Sequence, residues 1–200
     1  METSYTISKR NVLKNDLFES IDKNIIFTQD NIYYNFIREH INSFLTETLS
    51  NLKNKLILEI GPKENDEERI KSIDNCIETC DIIENNTTYV ADLTKNNNIP
   101  DERYDVIYCL EVLEHTTEPW NMVEQLYLKL KKNGVLHLSV PLNFRLHGPI
   151  PDGFRITEYG LKYLLEKNYF KIVHFECIYD ENRPAFPIHY NISCIKLEHL

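Results

Sequence analysis

Carboxylates recur where short apolar runs end in this chain. Glu59 closes "LILE", Asp81 closes "ETCD", Asp92 follows "YVA", and Glu111, Glu114 and His115 follow "YDVIYCL". Asp81 stands twenty positions after Gly61, a separation at which nucleotide-binding units offer an acid to ribose hydroxyls. Later, "PLNFRLHGPIPDGFRITEYG" carries Arg145, His147, Asp152 and Arg155. Histidine, aspartate and two arginines suit an anionic or hydroxylated ligand and can supply a general base, with His147 the first choice. A structural reading stands beside each residue. Glu59 also suits a helix cap, Asp81 and Asp92 suit solvated turns, and His115 suits a short helix end. Asp152 and Arg155 suit a local turn-stabilising pair, and His137 in "GVLHLSV" reads as a strand-packing histidine. Recurrence of acids at successive strand tips favours a ligand site over these separate roles.

The elements that would carry these residues follow from periodicity. Ile32, Phe36, Ile41, Phe44, Leu45, Leu49 and Leu52 form a helical stripe over 30–52, with Thr28 or Asp30 as N-cap. Strands are expected at 55–60, 77–82, 87–91, 104–109, 134–140, 170–178 and 190–197. Helices are expected at 64–74, 119–132 and 157–167. The second of these has Pro119 in its first turn and is closed by Asn133-Gly134. Strand–helix alternation predicts an α/β fold with a mostly parallel sheet covered on both faces. The last two strands are separated only by "DENRPAFPIHY", with no room for a crossover helix, so they must be antiparallel neighbours. In such sheets ligands bind at the carboxyl ends of the strands, near the reversal of strand order. The acids stand at those ends.

Composition narrows the function. The chain has 200 residues and a net charge of −9, so nucleic acid is an unlikely partner: phosphate contacts need a basic surface. Lys129, Lys131 and Lys132 are the one local basic cluster, and a helix end explains them through the helix dipole. No apolar run is long enough for a membrane span. The opening "METSYTISKRNVLKND" lacks a secretory h-region. Five scattered cysteines suit buried thiols in a reducing, cytoplasmic compartment. Cys76 and Cys80 make no CxxC and have no nearby histidine, so no metal site is expected.

From Leu56 to about Lys196 the chain resembles the class I S-adenosylmethionine-dependent methyltransferases, in particular the small-molecule branch with "EVLEH" after the fourth strand. The resemblance is carried by "LILEIGP", "CDI", "ADLT", "YDVIYCLEVLEH", "EPWNMVEQLYLKLKKNGVLHLSVP" and "FRITEYGLKYLLEKNYFKIVHFE". It implies a Rossmann-like three-layer sandwich with a seven-stranded sheet, one strand near the end being antiparallel. That domain would occupy 55–200, with 1–54 a helical extension packing on it. It implies S-adenosyl-L-methionine as cofactor, with Glu59 and Gly61 beside its methionine part, Asp81 on the ribose, and Asp92 and Leu93 by the adenine. Leu110 and Glu111 would line the methionine moiety and His115 would face the acceptor. Arg145, Asp152 and Arg155 would then contact a small-molecule or glycan-like acceptor, with His147 and His115 catalytic. Gly61 is the sole glycine in residues 1–133, where the family usually shows two or three in its first loop. A sulfonium cofactor carries no pyrophosphate, so the loss counts more against a nicotinamide dehydrogenase than against a methyltransferase. It also leaves open a catalytically inactive methyltransferase-like binding or regulatory protein.

Overall fold

The computed structural model describes residues 23–63, 70–145, 147, 152–179 and 185–198, with side chains from Tyr34 onward. By its contacts the chain divides between Phe36 and Ile37, and residues from Ile37 on form one unit. The elements are α1 (Lys23–Ser50), β1 (Leu56–Ile60), β2 (Cys76–Asp81), β3 (Tyr89–Val90) and β4 (Tyr104–Leu110). There follow a short 3₁₀ turn (Leu113–His115), α2 (Pro119–Lys129), β5 (Leu130–Pro141), α3 (Glu158–Lys167), β6 (Phe170–Tyr179) and β7 (Pro187–Lys196).

The seven strands make one sheet in the order β3-β2-β1-β4-β5-β7-β6. Pairs from β3 across to β5 are parallel, and β7 runs antiparallel to both β5 and β6. That is the expected α/β architecture with its one antiparallel strand. Strand order reverses between β1 and β4, so their carboxyl ends open a crevice where the chain leaves in opposite directions.

Alternation along each strand sends side chains to two cores. On one face Leu58, Ile107, Leu136 and Leu138 pack with Leu126 of α2 and Leu161 and Leu165 of α3. On the other, Ile57, Val106 and Tyr108 meet Leu45 and Leu49 of α1. Each fully buried aliphatic side chain contributes about 1.5–3 kcal/mol, and β4, buried on both faces, anchors both layers. His137 packs within this sheet as expected. Its ring stacks on Tyr108 at 4.8 Å and its Nδ1 meets the Ser193 hydroxyl at 2.9 Å.

Several boundaries differ from those read in the sequence. α1 begins at Lys23, so Thr28 and Asp30 lie inside the helix instead of capping it. Of the helix expected at 64–74, residues 64–69 lie outside the described residues, and 70–74 are not helical. α2 stops at Lys129, short of 132, because the Glu102 and Arg103 amides take the carbonyls of Leu128 and Lys129 at 2.9 and 3.0 Å. Leu130 is thereby drawn into register with Tyr104. Asn133, and not Gly134, takes the left-handed conformation there. The lysine cluster is also more than a dipole effect. Lys129 reaches Asp101 at 2.6 Å, Lys131 reaches Asp105 at 3.1 Å, and Lys132 reaches Glu198 at 2.5 Å. α3 starts where expected, with the Thr157 hydroxyl accepting from the Gly160 amide.

Candidate active site

A cavity of ≈ 470 Å³ opens at the carboxyl ends of β1, β2 and β4, within the range of small-ligand sites. Gly61, Asp81, Asp92, Leu93, Glu111 and His115 all line it. Six of the residues singled out in the sequence therefore meet in one place. The wall between them is largely apolar, with Ile60, Val112 and Met122.

Gly61 sits at the tightest point. Its φ is +63°, and a β-carbon there would lie 2.7 Å from Val112 Cγ2. Both the backbone conformation and the approach of Val112 require glycine. Its amide donates to the Cys80 carbonyl at 2.9 Å, which ties the end of β1 to β2. The cradle is thus built with one glycine.

The acids differ in how they are held. Asp81 accepts from the Ile83 amide at 3.1 Å. Asp92 accepts from the Thr94 amide and hydroxyl and pairs with Lys95 at 2.7 Å. Lys95 and Thr94 hold its carboxyl down at about 2. Its charge shapes the loop under the rim. Glu111 has a positive φ of 57°, an observed strain of the kind that clusters at ligand sites. Its amide donates to the Ser139 carbonyl at 3.0 Å, and its Oε1 receives the Ser139 hydroxyl at 2.9 Å and His189 Nε2 at 2.5 Å. Burial pushes the Glu111 carboxyl up, but His189 and Ser139 outweigh it and keep it below the usual range.

Beyond Glu111 the 3₁₀ turn brings in Glu114 and His115, and His147 and residues 152–155 lie against them. The Gly153 and Phe154 amides donate to the Glu114 carbonyl at 2.9 and 3.1 Å. His147 Nδ1 lies 3.1 Å from Asp152 Oδ2, and Arg155 pairs with the same carboxylate. Burial raises the Asp152 carboxyl, and hydrogen bonds from Arg155 and the His147 amide more than reverse this. The His115 and His147 rings meet edge to face at 4.8 Å. Glu114 lies beneath them at 1 % exposure. Burial, and then the charge of Glu111, push its carboxyl up to about 9.

Other expected residues lie elsewhere. Glu59 points to the opposite face, where it accepts from the Ile70 amide at 3.3 Å. With Leu110 it lines a separate hollow of ≈ 50 Å³. The two-residue period of a strand explains this, since the Ile60 side chain packs in the core on the other face from Ile57 and Glu59. Gly61, just past the strand end, borders both hollows. Arg145 is exposed, and its carbonyl accepts from Arg155. Sequence reasoning gave no role to Ser139 and His189, which hold Glu111, and none to Glu114 as a buried acid. No local pattern marks Ser139 and His189, because they come from β5 and β7. The E-x-x-E-H spacing was the available signal for Glu114. The five cysteines are unpaired, Cys76 being exposed and Cys80 forming part of the cavity wall.

Comparison with known proteins agrees with this fold. A family model described as a methyltransferase domain matches residues 32–184. A ubiquinone biosynthesis O-methyltransferase of Haemophilus ducreyi is 34% identical over 80 residues, which is 40% of this chain and 31% of that protein. The match spans about a third of that relative's length. Among solved structures, the [4+2]-cyclase SpnF aligns with a TM-score of 0.60 at 15% identity, covering 80% of this chain and 81% of that one. A Burkholderia thailandensis 1,6-didemethyltoxoflavin-N1-methyltransferase, solved with 1,6-didemethyltoxoflavin and S-adenosylhomocysteine, aligns with a TM-score of 0.55 at 16% identity. It covers 92% of this chain and 86% of that one.

Proposed function

This chain belongs to the class I S-adenosylmethionine-dependent methyltransferase family, and from that premise we propose that it transfers a methyl group to a small-molecule or glycan-like acceptor in the cytoplasm. The observation that carries the reading is the cavity where strand order reverses, with Gly61 at its neck and Asp81, Asp92 and Glu111 around it. The donor set fits the cofactor. It offers carboxylates to a sulfonium and to ribose hydroxyls, and an apolar wall for a base. When bound, S-adenosylmethionine supplies an electrophilic methyl group for in-line displacement.

The protein's own part is alignment and exclusion of water. Asp81 accepts from the ribose hydroxyls. Leu93 packs the adenine, on a loop that Asp92 holds through Thr94 and Lys95. Glu111 keeps its negative charge beside the methionine part because His189 and Ser139 hold it. Glu59 and Leu110 support the Gly61 neck from the other face. On the acceptor side, Asp152 engages His147 Nδ1 and leaves Nε2 to take a proton from the acceptor. Arg145 and Arg155 favour an acceptor with anionic or hydroxyl groups, and His115 lines the passage between the two. No described helix is long and apolar enough to cross a membrane, and the unpaired cysteines suit a reducing compartment.

Titration with S-adenosylhomocysteine tests this. At a hundred times its Kd the ligand should stabilise the fold by about 2.7 kcal/mol, and Asp81→Ala should weaken binding. No binding, with no effect of Asp81→Ala, would sink the reading. A second reading, a methyltransferase-like binding protein without turnover, draws on the single-glycine neck. The likeness to a cyclase is also a reminder that this fold hosts other chemistry. Cofactor binding without turnover on a panel of hydroxylated and amine acceptors would favour it.

A further inference from the structure

We propose that Glu114, His115 and His147 form a binding site for one first-row divalent cation of the imidazole-accepting kind, such as Mn²⁺, Co²⁺ or Zn²⁺, on the acceptor flank of the cavity. One ligand atom from each of the three lies within 4.8 Å of the others. Glu114 Oε1 is 3.7 Å from His115 Nε2 and 3.8 Å from His147 Nε2. Those separations are too long for hydrogen bonds. These two carboxylate–imidazole separations are close to those of ligands on one ion, whose bonds of about 2.0–2.2 Å put tetrahedral ligand atoms about 3.3–3.6 Å apart.

Glu114 provides an independent observation. It is buried to 1 % exposure, and among the described residues neither carboxylate oxygen has a hydrogen-bond partner. Buried carboxylates are otherwise paired, hydrogen-bonded or metal-coordinating. The surroundings are those of a supported ligand. Asp152 takes His147 Nδ1 and turns Nε2 toward Glu114, while Arg155 fixes Asp152, an arrangement that orients metal-bound histidines. The amides of Gly153 and Phe154 bind the Glu114 carbonyl, so the two segments that contribute ligands are fastened together.

Two imidazoles and one carboxylate suit first-row cations better than Mg²⁺ or Ca²⁺, which prefer all-oxygen shells. Three protein ligands leave open positions. His115 belongs to both the cluster and the cavity wall, so an acceptor hydroxyl is within reach of the ion. With Nε2 of His147 bound to the ion and no longer the base, that hydroxyl would lose its proton to solvent more readily there. This last role rests on the methyltransferase reading. The site itself does not.

The test uses the full untagged chain, stripped with a chelator and titrated with Co²⁺ by visible absorption and with Zn²⁺ by calorimetry. One equivalent should bind. His147→Asn and Glu114→Gln should each weaken binding by at least about 100-fold and Asp152→Asn by about 10–100-fold, with His174→Gln unchanged. Circular dichroism confirms each variant's fold, and His115→Asn replaces any that fails to fold. A wild-type chain that binds no Co²⁺ or Zn²⁺, or folded ligand variants that bind like wild type, would overturn the proposal. Titration of the metal-free chain with S-adenosylhomocysteine separates the two ideas. Cofactor binding without metal binding sinks the metal site alone, and metal binding without cofactor binding sinks the methyltransferase reading alone.

Discussion

On the flank of the cavity built by β4, β5 and β7, Glu111 gives its Oε1 to His189 and Ser139. Three residues on, beneath His147, Glu114 is buried more deeply and has no hydrogen-bond partner for either oxygen among the described residues. The two acids share a short segment and are electrostatically linked, since the charge of Glu111 helps raise Glu114. Their fates differ because the sheet can deliver partners to a strand tip, whereas a 3₁₀ turn under a loop depends on what that loop brings. On the flank proposed for the cofactor the acids are paired within the protein, as Asp92 with Thr94 and Lys95 also shows. On the flank proposed for the acceptor, Glu114 would be completed by the proposed cation. A site that must hold one invariant cofactor benefits from fixed charge, and a site for an acceptor benefits from a group whose charge depends on what binds.

The largest test of this contrast removes a partner from the complete flank. His189→Leu leaves Glu111 buried with Ser139 alone and should destabilise the fold by about 3–5 kcal/mol, read by denaturant unfolding. A loss below about 1 kcal/mol would mean that Glu111 is not held as described. Next, Gly61→Val forces a β-branched residue into the left-handed region and against Val112. It should cost about 2–4 kcal/mol and weaken S-adenosylhomocysteine binding at least about tenfold, 1.4 kcal/mol in binding terms. Unchanged affinity would place the neck outside the cofactor site.

A pH titration distinguishes both flanks from the sheet interior. Burial, helped by His174, holds the His137 imidazole down at about 4, well below the usual histidine range near 6.5. The unfolded chain therefore takes up this proton first. The contribution of His137 is intact above pH 6.5 and is lost as pH falls toward 4, by up to about 3 kcal/mol. His137→Gln should flatten that part of the stability curve, and an unaltered curve would contradict its buried, neutral state. Smallest of all, Lys95→Ala should leave the melting temperature unchanged within error, since exposed ion pairs contribute little. A clear drop would show that the Asp92 loop depends on this lysine more than on Thr94.

Much of the fold could be read along the chain. All seven strands lie within a few residues of where alternation and apolar runs put them, and the hairpin geometry of the Pro-rich segment correctly made β7 antiparallel. Helix ends were less legible. The end of α2 depends on the Glu102 and Arg103 amides, which reach it from a distant loop. Within the site, Gly61, Asp81, Asp92, Leu93, Glu111 and His115 were accessible because each follows a strand, and strand ends converge in this topology. Glu59 and Leu110 fell on the other face, since a strand's period of two separates neighbours that a motif counts together.

By itself the sequence determined which residues stand at strand tips, because hydrophobic periodicity and strand order are local and cumulative properties. Only the tertiary structure decided which acids are complete. The partners of Glu111 are 28 and 78 residues away, and His147 reaches the Glu114 turn through a loop held by Asp152, Gly153 and Phe154. Whether a buried carboxylate is satisfied depends on every group within about 3.5 Å, and such distances are set by packing rather than by spacing along the chain.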